Sequence, residues 1–174
     1  LDQFDANDPV YVTTRVLEDK LDGVRPLEVM LTADDPAVFQ DPAFIEDLRS
    51  VQRWSEHEPG ILRTMTYADV LRQSLARRSG DGSVWQRPFA NAREVDAVTR
   101  LLTQRTPNPM STWRTADGKT VRFQIKLRDI GARGTMDFLS RLEAQIQRTV
   151  GHHGGVHVAF TGEAYNGSRG TDAV

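Results

Sequence analysis

Apolar and polar residues alternate along "PLEVMLTA" at residues 26–33, with Leu27, Val29 and Leu31 on one side, which predicts a half-buried strand. The period lengthens after Asp41-Pro42. Phe44, Ile45, Leu48 and Val51 recur at helical spacing until Pro59-Gly60, so Asp41 reads as an N-cap with Pro at the first helical position. "ILRTMT" predicts a short strand, and Thr66 caps a helix carrying Tyr67, Val70, Leu71 and Leu75. Residues 26–66 thus predict a β-α-β unit. An earlier helix is expected upstream, capped at Asp8-Pro9, with Val10, Leu17 and Leu21 on one face and Gly23 as its stop.

The pattern then breaks. "RRSGDGSVWQRPFA" has the Gly, Ser and Pro density of an irregular loop. Asn91 with Glu94 resembles a capping box opening a helix with Val95, Val98 and Leu102 in register. After "TPNPMS", the stretch "STWRTADGKTVRFQIKLRD" predicts a hairpin with a type I′ turn at Asp117-Gly118. Its second arm sets Val121, Phe123, Ile125 and Leu127 against Arg122, Gln124, Lys126 and Arg128. Thr135 reads as the start of a helix with Leu139, Leu142, Ile146 and Val150 inward, and Gly151 as its C′ stop. Val156, Val158 and Phe160 mark the last strand. The expected class is α+β: a ferredoxin-like βαββαβ sandwich over residues 26–165, with helices on one face of an antiparallel sheet. A linker helix over residues 1–25, a helical insertion at about 67–110 and a tail at 166–174 complete the expected organisation.

Composition narrows the function more than the fold. At 174 residues, 39% hydrophobic and 26% charged, the chain has the make-up of an ordinary globular domain. A net charge of −2 argues against a nucleic-acid partner held by phosphate neutralisation. No cysteine is present, so thiolate chemistry and disulfides are excluded. Of the 22 basic residues only Lys20, Lys119 and Lys126 are lysines. The arginines are scattered, which fits GC-rich codon usage better than one guanidinium site.

Candidate chemistry is sparse. "HHGGVH" places His152, His153 and His157 around a helix-to-strand turn with no carboxylate at ligand spacing, so the first two read as solvated turn residues. "DQFDANDP" lacks the EF-hand spacing. "GDGS" and "GHHGG" lack the P-loop Lys-Ser/Thr, and "NGSRG" is no nucleophile elbow. Arg122, Lys126 and Arg128 read as a solvated sheet face. No catalytic residue, metal or cofactor is expected. The aromatics are different. Trp85 and Phe89 fall in a polar loop and Trp113 lies just beyond Met110, a setting that fits either a satellite core or a hydrophobic ligand surface.

The order of these motifs resembles the periplasmic loop of an RND-superfamily exporter of the MMPL, or hydrophobe-exporter, branch. The matching stretches are "NDPVYVTTRVLEDKLDGVRPLEVMLTA", "DPAFIEDLRSVQRWSEHEPGI", "TYADVLRQSLA", "VRFQIKLRD" and "VAFTGEAY". The resemblance implies a porter domain on the periplasmic face of the bacterial inner membrane, with Thr161-Gly162 leading toward a transmembrane helix outside this chain. It implies a non-enzymatic role in moving a hydrophobic lipid such as a sterol or hopanoid. The implied partners are that lipid, the transporter's other periplasmic loop and a periplasmic lipid carrier. Trp85, Phe89, Met110 and Trp113, with Arg87 and Arg114 as polar contacts, are the candidate ligand-binding residues from the reading of the chain itself. A stand-alone docking module without lipid binding is the alternative.

Overall fold

The computed structural model describes residues 25–80 and 82–166. The upstream helix expected from Asp8 to Gly23 and the tail from residue 167 lie outside the described residues.

Four strands form one antiparallel sheet: β1 (Arg25–Ala33), β2 (Ile61–Thr66), β3 (Thr120–Leu127) and β4 (Val156–Thr161), in the spatial order β2-β3-β1-β4. β1 and β2 both run antiparallel to β3, which lies between them. The alternation in the sequence becomes the two faces of this sheet. Leu27, Val29, Leu31 and Ala33 of β1 and Val121, Phe123, Ile125 and Leu127 of β3 are buried on one side. The register pairs Val29 with Phe123 and Leu31 with Val121, so the apolar rows stand shoulder to shoulder.

Helices α1 (Pro42–Glu56) and α4 (Gly131–Val150) pack on that apolar side. Phe44, Ile45, Leu48 and Val51 of α1 are fully buried, and Trp54 stacks on Phe138 of α4 at 6.3 Å between ring centroids. Asp41 caps α1 as the sequence predicts, its Oδ1 accepting from Ala43 N at 2.9 Å. The expected insertion holds α2 (Tyr67–Ser79) and α3 (Ala92–Thr103), joined through a 3-10 turn at Gly82–Trp85. It shares the main core: Tyr67, Val70, Leu71, Phe89, Val95, Val98, Leu102 and Met110 belong to the same apolar cluster as the sheet. Tyr67 OH donates to Phe39 O at 3.0 Å, tying α2 to a further 3-10 turn, Pro36–Gln40, that apolar periodicity did not signal.

Several local expectations are corrected. The hairpin turn is not a two-residue type I′ loop, because Thr115 N donates to Thr120 O and leaves four residues in the loop. Gly118 N donates to Thr115 O and Gly118 has φ +72°, so the glycine follows a tight turn centred on Ala116 and Asp117. α4 starts at Gly131 rather than Thr135, whose hydroxyl instead donates to Gly131 O at 2.9 Å. Gly151 is a right-handed C-cap, and the left-handed residue of that connection is Gly155, at φ +76°. The Asn91 box is half formed. Asn91 Oδ1 accepts from Glu94 N at 3.0 Å, but the Glu94 carboxylate turns to Ala90 N and Arg87.

The chain leaves β4 at Gly162, where φ is +102° and an added Cβ would lie 2.6 Å from Pro26 O. Only glycine permits the backbone to come this close to β1. A helical turn over residues 163–166 follows, with Ala164 buried.

Candidate functional site

The sheet face turned away from α1 and α4 carries Arg63 and Met65 of β2, Arg122, Gln124 and Lys126 of β3, Glu28 and Met30 of β1, and Thr161 of β4. Part of it is roofed by the chain before β3. Asn108 Oδ1 accepts from Met110 N at 2.9 Å, and the N–H groups of Trp113 and Arg114 both donate to Met110 O at 2.9 Å. This compact turn drops Trp113 beside β3, where Arg122 N donates to Trp113 O at 2.9 Å. The result is a groove of about 240 Å³ between the turn and the sheet, lined by Glu28, Met30, Trp113, Arg114, Arg122 and Thr161.

Charge is concentrated at the groove floor. Glu28 is only 7% exposed although it faces away from the helices. Its carboxylate accepts from Arg122 Nε at 2.5 Å and from Gln124 Nε2 at 2.8 Å. Two charge-assisted bonds from neighbouring β3 residues offset much of the desolvation that burial imposes on the carboxylate. Around the corner, a second cavity of about 500 Å³ shares Ser111, Arg114 and Thr115 with the groove and has Met110 in its wall. Its size falls within the range of small-ligand pockets. In the groove Met30 and Trp113 stand against the fixed Glu28–Arg122 pair, an arrangement suited to an amphipathic group, whereas Met110 behind the second cavity is only 1% exposed.

The six candidate ligand-binding residues are not gathered in one place. Met110, Trp113 and Arg114 meet at these two cavities. Phe89 lies in the main core, 4% exposed, with its ring under the Arg72 guanidinium. Trp85 is 37% exposed and borders a separate polar cleft of about 360 Å³ walled by Arg49, Gln52, Arg53, Glu56 and Asp69. Arg87 is exposed and pairs with Glu94 at 2.6 Å. Burial raises the Glu94 pKa, but the bonds from Arg87 and Ala90 N outweigh it and hold the carboxyl below its ordinary 4.5.

Three residues had no warning in the chain's pattern. Arg72 sits beside Leu71 on a helix whose other arginines are exposed, yet its side chain is fully buried. It forms an ion pair with Glu46 and donates to Trp85 O at 3.0 Å and Arg87 O at 2.7 Å. Burial pushes its pKa down, with Arg49 adding to that push and Glu46 opposing it. Glu28 reads as an outward strand residue, because nothing local reveals that β1 is central and flanked on both sides.

Asp47 is the third. On the outer side of α1 it meets the α4–β4 turn: Asp47 Oδ2 lies 2.8 Å from His153 Nε2 and 3.3 Å from His152 Nε2. His153 is not a solvated turn residue, since its side chain is 10% exposed and packs edge-on against Phe44. The carboxylate missing from the local sequence is supplied from 106 residues away. These side chains are the set among the described residues that could hold a metal ion.

No protein-family model and no curated protein matches this chain.

Proposed function

We propose that this chain is the periplasmic porter domain of a proton-driven RND-superfamily exporter of the MMPL branch, and that it takes up a hydrophobic lipid of the sterol or hopanoid kind. The observation that carries the reading is the Trp113 groove, where an apolar wall of Trp113 and Met30 ends on the Glu28–Arg122 pair. Each 100 Å² of lipid surface buried there would contribute about 2.5 kcal/mol before ordering costs, while the ion pair orients a hydroxyl or headgroup. The architecture supports the reading too. β1 and β2 flank β3 and are joined through α1, and β3 and β4 flank β1 and are joined through α4, which is compatible with a ferredoxin-like porter subdomain. Such a domain would work against the transporter's other periplasmic loop and pass lipid to or from a periplasmic carrier. Lipid capture needs no catalytic group from this chain, and proton coupling would lie in transmembrane segments outside it.

A docking role without lipid is favoured by one feature, the polar row of Arg63, Gln124 and Lys126 on the same sheet face. The test separates the two. The purified chain is titrated with cholesterol and with a hopanoid delivered from cyclodextrin, and bound lipid is identified by mass spectrometry. Saturable uptake that weakens on Trp113→Ala, in a variant whose circular dichroism is unchanged, supports the porter. A folded chain that takes up neither lipid overturns it and leaves the docking role.

A further inference from the structure

We propose that Asp47, His152 and His153 form a binding site for a divalent transition-metal ion of the zinc class, at the junction of α1 with the α4–β4 turn. It is independent of the lipid reading, since its residues line neither the groove nor the cavity beside it.

Two imidazoles and one carboxylate are a borderline donor set that suits Zn²⁺ and its neighbours, and excludes a hard-cation site of the Ca²⁺ kind. The donor atoms of the three residues all lie within 4.8 Å of one another. Ligands at about 2.0–2.1 Å from a tetrahedral zinc stand about 3.3 Å apart. The separation of His152 Nε2 from Asp47 Oδ2 is 3.3 Å, and that of His153 Nε2 from the same oxygen is 2.8 Å. The closer pair needs to open by about half an ångström, within the reach of one side-chain torsion.

The surroundings also favour a ligand role. The Oδ2 of Asp41 faces His153 Nδ1 at 4.0 Å, while its Oδ1 is held by Ala43 N at the helix cap. Without an ion, His153 Nε2–H donates to Asp47 Oδ2 at 2.8 Å, so a bound cation takes the place of that proton, which leaves to solvent or moves to Nδ1. Phe44 blocks one edge of the His153 ring, and the two imidazoles lie 4.1 Å apart between centroids. His152 is 63% exposed, so the fourth coordination position opens to solvent and would hold water. With an ion in place the α4–β4 turn is clipped to the second turn of α1, reinforcing the contacts that His153 makes there with Asp47 and Phe44.

The test uses the untagged chain, because a histidine tag would mask the signal. Zn²⁺ alone is titrated by calorimetry, and Co²⁺ alone by its visible absorption, which intensifies in four-coordinate sites. The expected result is one ion per chain, a Tm that rises with Zn²⁺, and affinity at least about tenfold weaker in His152→Ala and Asp47→Asn. His152 is exposed, so its variant retains the fold, while His157→Gln serves as the neutral control. No stoichiometric binding overturns the proposal. Binding that His152→Ala and Asp47→Asn leave unchanged overturns it equally.

Discussion

Replacing Arg72 with Met removes one side chain that holds three segments together. The guanidinium joins α2 to Glu46 of α1 and to the carbonyls of Trp85 and Arg87, and lies 5.5 Å from the centroid of the Phe89 ring. Methionine fills most of the aliphatic volume, so little cavity is created. The cost is that two carbonyls lose a charged donor, about 1.5 kcal/mol each at the low end. Glu46 is 30% exposed and can rehydrate, so its loss adds no more than about 1 kcal/mol. Removing a buried charge, with an Nε that finds no hydrogen-bond partner among the described residues, returns part of this. The net expectation is a loss of about 3 kcal/mol, or a Tm lower by roughly 6–12 °C for a chain of this size. Thermal and urea unfolding by circular dichroism measure it, and Trp85 emission should shift to the red as its loop detaches. Arg72→Lys should recover only part of the loss, because an ammonium cannot fork to two carbonyls and a carboxylate. A Tm within about 2 °C of the parent for Arg72→Met would refute the reasoning.

Two further outcomes follow from the same geometry. Glu94 is held below its ordinary 4.5, so its bonds stabilise the fold fully above that value and lose effect as pH falls through the lower, folded value. The Tm difference between the parent and Glu94→Gln should therefore shrink as pH drops from 5 toward 3; a constant difference would rule out the ionised carboxylate as its source. Gly162→Ala forces a positive φ on alanine and drives its Cβ into Pro26 O, which should cost about 2–3 kcal/mol in urea unfolding. A neutral result would mean that β4 leaves the sheet by another path.

Much of the fold was legible because its signals are local. Period-two runs marked β1, β3 and β4, and the caps at Asp41 and Thr66 placed two helix starts, with Thr66 N donating to Asp69 Oδ2 at 2.8 Å. The hairpin failed at the level of turn geometry. Asp-Gly signals a tight turn, but the Asp117 carboxylate accepts from Thr115 Oγ1 at 2.6 Å and Lys119 N at 3.0 Å, which favours the wider loop. Thr135 is an ambiguous signal for the start of α4, because its hydroxyl bonds inside the helix as readily as a cap would outside it. The sites were less legible, for one physical reason. Glu28–Arg122, Glu46–Arg72 and Asp47–His153 are separated by 94, 26 and 106 residues, and no periodicity spans such distances. The apolar character of Met110 and Trp113 in a polar stretch is a local signal, and the structure sets Trp113 at the groove and Met110 in the core behind it.

Arg72 recognises the loop after α2 through main-chain oxygens, which every residue type presents. The contact is blind to what stands at positions 85 and 87. A change of side chain at position 85 therefore leaves both main-chain bonds in place, while at position 87 it gives up only the separate pair with Glu94. An anchor that reads only the main chain leaves the outer face of this loop open to other side chains while the fold beneath it stays held.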